Sequence, residues 1–100
     1  AFIPLEEAKV SVLDRGFLFA DGVYEVIAAY AGKLFRFEAH LERLKNSLAG
    51  IRLANPHTDE VWAHILTQLI AKNPSQEQLV YLQVTRGADK TRGHAFPSHI

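Results

Sequence analysis

Apolar and polar positions alternate in some stretches of this chain and recur at helical spacing in others. In Lys9–Leu13 (KVSVL), Val10 and Val12 fall on one side of an extended backbone, which predicts a first strand. Asp14-Arg15-Gly16 breaks that run, and Asp21-Gly22 is a second turn signal. From Val23 to Tyr30 the sequence VYEVIAAY is rich in β-branched and aromatic residues and predicts a strand. Ala31-Gly32-Lys33 then reads as a short hairpin loop into a further strand at 34–37, LFRF. Leu41, Leu44, Leu48 and Ile51 form one helical stripe. A second helix opens at Thr58 as N-cap, with Asp59 and Glu60 in the first turn, where carboxylates favour the helix dipole. Val61, Ile65, Leu66 and Leu69 make its expected core face, and Asn73-Pro74 ends it. Leu79–Thr85 (LVYLQVT) is the last strand, with Val80, Leu82 and Val84 facing one way. Strands joined by a hairpin beside two helices predict an α+β domain with an antiparallel sheet.

Composition narrows the function more than the fold. One hundred residues, 48% of them apolar, suit one domain with one core. Eleven basic residues balance eleven acidic ones, so a nucleic-acid partner is not expected. No apolar run approaches the ~20 residues of a membrane helix, so no membrane partner is expected either. The absence of cysteine removes disulfides and thiolate zinc sites from these residues and fits a cytoplasmic location. Histidines at 40, 57, 64, 94 and 99 show no ligand spacing, so no metal is expected. The start, AFIPLEEAKV, lacks the pattern of a secretory leader, and both ends read as cut.

Several residues invite a chemical reading. Tyr24, Val26, Ala28 and Tyr30 share a strand face, so Tyr24 is either a core aromatic with its hydroxyl at the rim or a phenol at the mouth of a site. Glu25 points the other way, solvated or ion-paired. Arg43, one position before Leu44, either lies over the edge of the core or aims its fork at a phosphate. In VTRGADKTRGHAFP, Arg92 and His94 stand two apart, with Gly93 allowing close approach between them. They are either a solvated basic loop or a pair that converges on a carboxylate.

The stretch DRGFLFADGVYEVIAAYAGKLFRFEAHLERL, Asp14 to Leu44, resembles the fold-type IV pyridoxal-phosphate aminotransferases. That family includes D-amino acid and branched-chain aminotransferases and aminodeoxychorismate lyase. The likeness runs from PLEEAKVSVLDRG to RGHAFP, with Ala20 where many members carry glycine. DGVYEV and the later Arg92-Gly93-His94 are similar to the D-amino acid branch, with one extra residue between TRG and that motif. The resemblance implies the small N-terminal domain of a two-domain enzyme, with pyridoxal 5'-phosphate as cofactor. It implies that Arg43 binds the cofactor phosphate, that Tyr24 and Val26 contact the substrate, and that Arg92 and His94 hold its carboxylate across a homodimer interface. The implied reaction moves an amino group from a D-amino acid such as D-alanine to a 2-oxo acid such as 2-oxoglutarate. A branched-chain or other class IV aminotransferase, or a lyase-like enzyme, is the alternative on the same scaffold. A non-catalytic binding or assembly domain is the alternative from another class. Lysines stand at 9, 33, 45, 72 and 90, and none has the context of the family's Schiff-base lysine. The resemblance therefore places that lysine in a C-terminal domain absent from this chain, residues 1–100 being the N-terminal domain, incomplete at both ends and inert alone.

Overall fold

A nine-residue strand organises the computed structural model, which describes residues 2–88. This strand, β1 (Gly22–Tyr30), lies between β2 (Lys33–Leu34) and β3 (Glu77–Thr85) in an antiparallel sheet of order β2-β1-β3. Three α-helices accompany the sheet among the described residues: α1 (Arg15–Phe19), α2 (Phe37–Gly50) and α3 (Asp59–Ala71). The two long ones are those expected from the apolar stripes, and the architecture is the expected α+β. Compactness divides the chain into two units, Val23–Gln83 and the residues flanking it, up to Gly22 and from Val84.

Within Val23–Gln83 the core follows from alternation on the strands and the stripes on the helices. Ile27 and Ala29 from β1, Val80 from β3, and Leu66 and Ile70 from α3 form one buried cluster, with Leu34, Phe37, Ile65 and Leu69 packed against it. α2 buries Leu41, Leu44 and Leu48. Burying a side chain such as Leu44 completely contributes roughly 1.5–3 kcal/mol. The hairpin loop is the two residues Ala31 and Gly32, with φ of 50° and 79°, and Tyr30 already pairs with Lys33. Positive φ at both central residues is what a type I′ turn requires, and it matches strand twist.

Three sequence expectations need correction here. The second hairpin strand does not run over 34–37. It stops at Leu34, because Arg36 takes φ 54° and turns the chain so that Phe37 starts α2. The core face of α3 is rotated by one position, to Trp62, Leu66 and Ile70, leaving Val61 exposed. Tryptophan has more apolar surface to bury, and its ring Nε1–H donates to Asn55 Oδ1 at 2.9 Å. Thr58 does cap α3, accepting from Val61 N at 3.2 Å.

The third correction concerns the flanking unit. Lys9–Leu13 is not a strand: its alternation finds no ladder among the described residues, Val10 and Val12 stay exposed, and a turn closes with Asp14 N donating to Ser11 O at 3.0 Å. The sequence breaker that follows is instead the start of α1. Asp14 caps it by accepting from Gly16 N at 2.8 Å, and also accepts from Thr85 Oγ1 at 3.2 Å. Arg15 N donates to Gly87 O at 2.8 Å, so Asp14-Arg15-Gly16 and Thr85-Arg86-Gly87 interlock. At their centre Arg15 Nε and Arg86 Nε both donate to Asp21 Oδ2, at 2.8 and 2.9 Å, with both arginines buried and Asp21 largely so. Ala20 ends α1 with φ 54°, a left-handed conformation in which glycine carries no Cβ penalty.

Two glycines with opposite surroundings test this packing. A Cβ on Gly22 would stand 2.7 Å from Val84 O, where backbone cannot easily yield, whereas one on Gly50 meets nothing within 4 Å. Gly22→Ala should lower stability by about 1–3 kcal/mol and Gly50→Ala raise it by about 0.5–1 kcal/mol, read from urea midpoints. Asp21 gives a test with a sign in pH. Burial pushes its carboxyl up, but the hydrogen bonds and charges of Arg15 and Arg86 outweigh that and hold it below the ordinary 3.8. A depressed folded value means stability that is present above 3.8 and lost as pH falls through the folded value. Asp21→Asn should cost roughly 3 kcal/mol at neutral pH. The gap to wild type should shrink on acidification below 3.8 in parallel urea titrations.

Candidate functional site

The row of β1 side chains that faces the core includes one charged residue. Glu25, 3% exposed, sits in the same alternation as Ile27 and Ala29. A buried carboxylate needs partners, and α2 provides two from neighbouring turns of one face. Arg43 Nε donates to both Glu25 oxygens, at 3.1 Å to Oε1 and 2.9 Å to Oε2, and Arg43 Nη2 donates to Oε1 at 2.9 Å. His40 Nδ1 lies 2.8 Å from the same Oε1. The hydrogen bond from Arg43 holds the Glu25 carboxyl below its ordinary 4.5; burial opposes this, and the bond to His40 adds to it. The carboxylate is therefore ionised at neutral pH and can only accept. His40 must then carry its proton on Nδ1, which leaves Nε2 turned away from Glu25.

Only one edge of the Arg43 guanidinium is used by Glu25. Its side chain remains 68% exposed. Nη1 and the second Nη2 proton point elsewhere, three N–H donors in all. They border a recess of about 410 Å³ lined by Arg36, Ala39, His40 and Arg43. Two guanidiniums beside a recess of that size make a donor set suited to a phosphate or similar oxyanion.

On the opposite face of β1 the side chains are open. Tyr24 is 61% exposed and stacks on Tyr81 of β3, with ring centroids 5.4 Å apart and planes 4° from parallel. Val26 and Tyr30 share this exposed face. Tyr24 is thus not a core aromatic with a rim hydroxyl; its whole ring stands on an uncovered sheet surface. Tyr24, Val26 and Arg43 belong to one unit, Tyr24 and Val26 on the exposed face of β1 and Arg43 held by Glu25 from the opposite face. Arg92 and His94 lie outside the described residues.

Two contributors are not evident from sequence. His40 stands out there only as a neighbour of Arg43, although its spacing of three from Arg43 is a usable signal. Tyr81 follows from alternation on β3, but its pairing with Tyr24 depends on strand register, which sequence does not give. Arg86, an ordinary loop charge by its sequence context, belongs to the buried Asp21 cluster. Among the described residues no group of three His, Asp or Glu is placed to hold a metal, and no helix is long and apolar enough to cross a membrane.

Comparison with known proteins places these features in a family. The model for amino-transferase class IV matches residues 22–99. D-alanine aminotransferase of Listeria monocytogenes serotype 1/2a (strain 10403S) is 45% identical over 92 residues, 92% of this chain and 32% of that protein. The Staphylococcus haemolyticus D-alanine aminotransferase is 43% identical over 97 residues, 97% of this chain and 34% of that protein. Among solved structures, the branched-chain aminotransferase of the thermophilic archaeon Thermoproteus uzoniensis with norvaline superposes with a TM-score of 0.79. It is 26% identical, covering 92% of this chain and 33% of its own. The 4-amino-4-deoxychorismate lyase of Pseudomonas aeruginosa gives 0.76 at 32% identity, over 91% of this chain and 32% of its own. The chain spans about a third of the length of the curated relatives it matches. With its strand, its arginine-bearing helix and the sequence from Gly22 onward all within that match, the chain belongs to the class IV aminotransferases.

Proposed function

We propose that the chain is the N-terminal part of a pyridoxal-phosphate-dependent aminotransferase that moves an amino group from a D-amino acid to a 2-oxo acid. The observation that carries this is the guanidinium of Arg43, fixed along one edge by a buried carboxylate and open along the other into a cationic recess. Such a recess fits the phosphate of pyridoxal phosphate, and Arg43 would hold it. When bound, that cofactor supplies the electron sink through which the amino group is exchanged. The chain's own residues bind and orient. Tyr24 and Val26, on the exposed face of β1, form a wall for the substrate, and the stack with Tyr81 limits the ring of Tyr24 to one tilt. Arg92 and His94 take the substrate carboxylate, a planar anion that suits an arginine fork. The D-amino acid branch is supported by the identity of 43–45% to D-alanine aminotransferases.

Since the chain corresponds to a third of such a relative, the Schiff-base lysine belongs on this reading to a second domain. A homodimer, in which one subunit's Arg92 and His94 serve the other's site, and a cytoplasmic location complete the reading.

Stereochemistry decides the branch. The full-length protein loaded with pyridoxal phosphate should form pyruvate from D-alanine with 2-oxoglutarate as acceptor, and should leave L-leucine unreacted. Turnover of L-leucine alone would assign it to the branched-chain enzymes instead. The clamp has its own test. Arg92→Leu should lower kcat/KM for D-alanine about tenfold or more, mainly through KM, because the lost interaction is with the bound carboxylate. Unaltered kinetics would remove Arg92 from substrate binding.

A further inference from the structure

We infer that Glu25 is a positioning residue for cofactor phosphate: it sets the guanidinium of Arg43 so that the unused N–H donors of that group face one oxyanion, and it takes the Nδ1 proton of His40 beside it. The inference rests on the reading that Arg43 meets that phosphate. Three observations lead to it. Glu25 is 3% exposed and faces α2 from the core side of β1, so it is itself out of reach of any ligand. Its two oxygens take Nε and one Nη2 proton of Arg43, bonds of 2.9–3.1 Å that fix the plane of the fork and leave Nη1 facing outward. Its Oε1 also takes His40 Nδ1 at 2.8 Å, which turns Nε2 away from Glu25. Arg43 lines the recess with Arg36, Ala39 and His40, so the guanidinium oriented by Glu25 is itself a wall of the anion site.

The sign of the effect separates positioning from charge. A carboxylate beside an anion site repels the anion, so on electrostatics alone removing the negative charge should strengthen phosphate binding. If Glu25 acts by orientation, the same change weakens it. Glutamine offers one accepting oxygen in place of two, and its amide nitrogen donates where Arg43 or His40 also donates, so both cannot be held as before. Aspartate keeps the charge and loses a methylene of reach, so it should also fail to hold both partners.

The measurement is the ratio of affinities of the full-length apoprotein for pyridoxal phosphate and for pyridoxal, by equilibrium dialysis. That ratio isolates what the phosphate contributes, and a general loosening of the fold would not move it. Glu25→Gln and Glu25→Asp should each lower the ratio about tenfold, with pyridoxal affinity held within about twofold. Arg43→Ala should lower it at least as much. A ratio that rises in Glu25→Gln and stays put in Glu25→Asp would make Glu25 a charge and not a positioning residue. Equal weakening of both ligands, or failure of both Glu25 variants to fold, would make it a structural one, and either result overturns the inference. If Arg43→Ala lowers the ratio and the Glu25 variants do not, positioning fails while the phosphate reading stands. An unchanged ratio in Arg43→Ala means that the phosphate reading itself has failed.

Discussion

The contact on which the site depends is the buried carboxylate of Glu25 gripping Arg43 and His40. A strand in a half-covered sheet sends alternate side chains to the core, and Glu25 falls in the core row with Ile27 and Ala29. Placing a charge there is costly, and a buried ion pair is weak evidence for stability, since well-packed apolar groups of the same volume often do as well. What the arrangement does secure is direction. Three hydrogen bonds from one guanidinium to one carboxylate leave the fork no freedom to rotate. The pair Lys45–Asp59 shows the contrast: both partners are about half exposed, and one bond of 3.1 Å joins them.

Orientation of that kind explains why arginine suits position 43 better than lysine. An ammonium on a flexible stem could satisfy Glu25 or reach outward, but it has one nitrogen with which to do both. A guanidinium divides the tasks between its edges, Nε and Nη2 inward and Nη1 outward. The same division appears in His40, whose ring puts Nδ1 on Glu25 and Nε2 on the far side. Both residues therefore carry a rigid link from the core of β1 to the surface of α2. The open face of β1 is built by the opposite half of the same alternation, which is why a single strand can supply a buried anchor at Glu25 and an exposed wall at Tyr24 and Val26.

Much of this is legible in the sequence because period and chemistry agree over long elements. The stripe at Leu41, Leu44 and Leu48 and the cap at Thr58 point to two helices where they stand, and Val80 and Leu82 mark the buried face of β3. Failures come where local pattern lacks a tertiary partner or has the wrong one. Val10 and Val12 alternate, yet no strand among the described residues pairs with them, and alternation without a ladder makes no strand. LFRF reads as extended until the positive φ of Arg36 diverts it. Trp62 draws the core face of α3 toward itself because an indole has more to gain from burial than Val61. At the site, Arg43 and Tyr24 are identified through family resemblance, while the role of Glu25 needs register and helix position together. Side-chain direction is readable for it; the partner is not.

Two carboxylates of β1 and the turn before it, Asp21 and Glu25, show how exposure turns one kind of chemistry to different ends. Asp21 and Glu25 each accept bonds from two basic side chains, and in each case the bonds hold the carboxyl below its ordinary range. Around Asp21 both arginines are 4% exposed, so the cluster is closed and its directional bonds tie Asp14-Arg15-Gly16 to Thr85-Arg86-Gly87. Around Glu25 the bases are 18% and 68% exposed, so the bonds that satisfy the carboxylate leave donors facing solvent. A closed cluster of this type can only hold backbone in place. An open one can hold backbone and a ligand at once, and of the two acidic positions in ADGVYEV it is the second, inside the strand, that has the geometry for it.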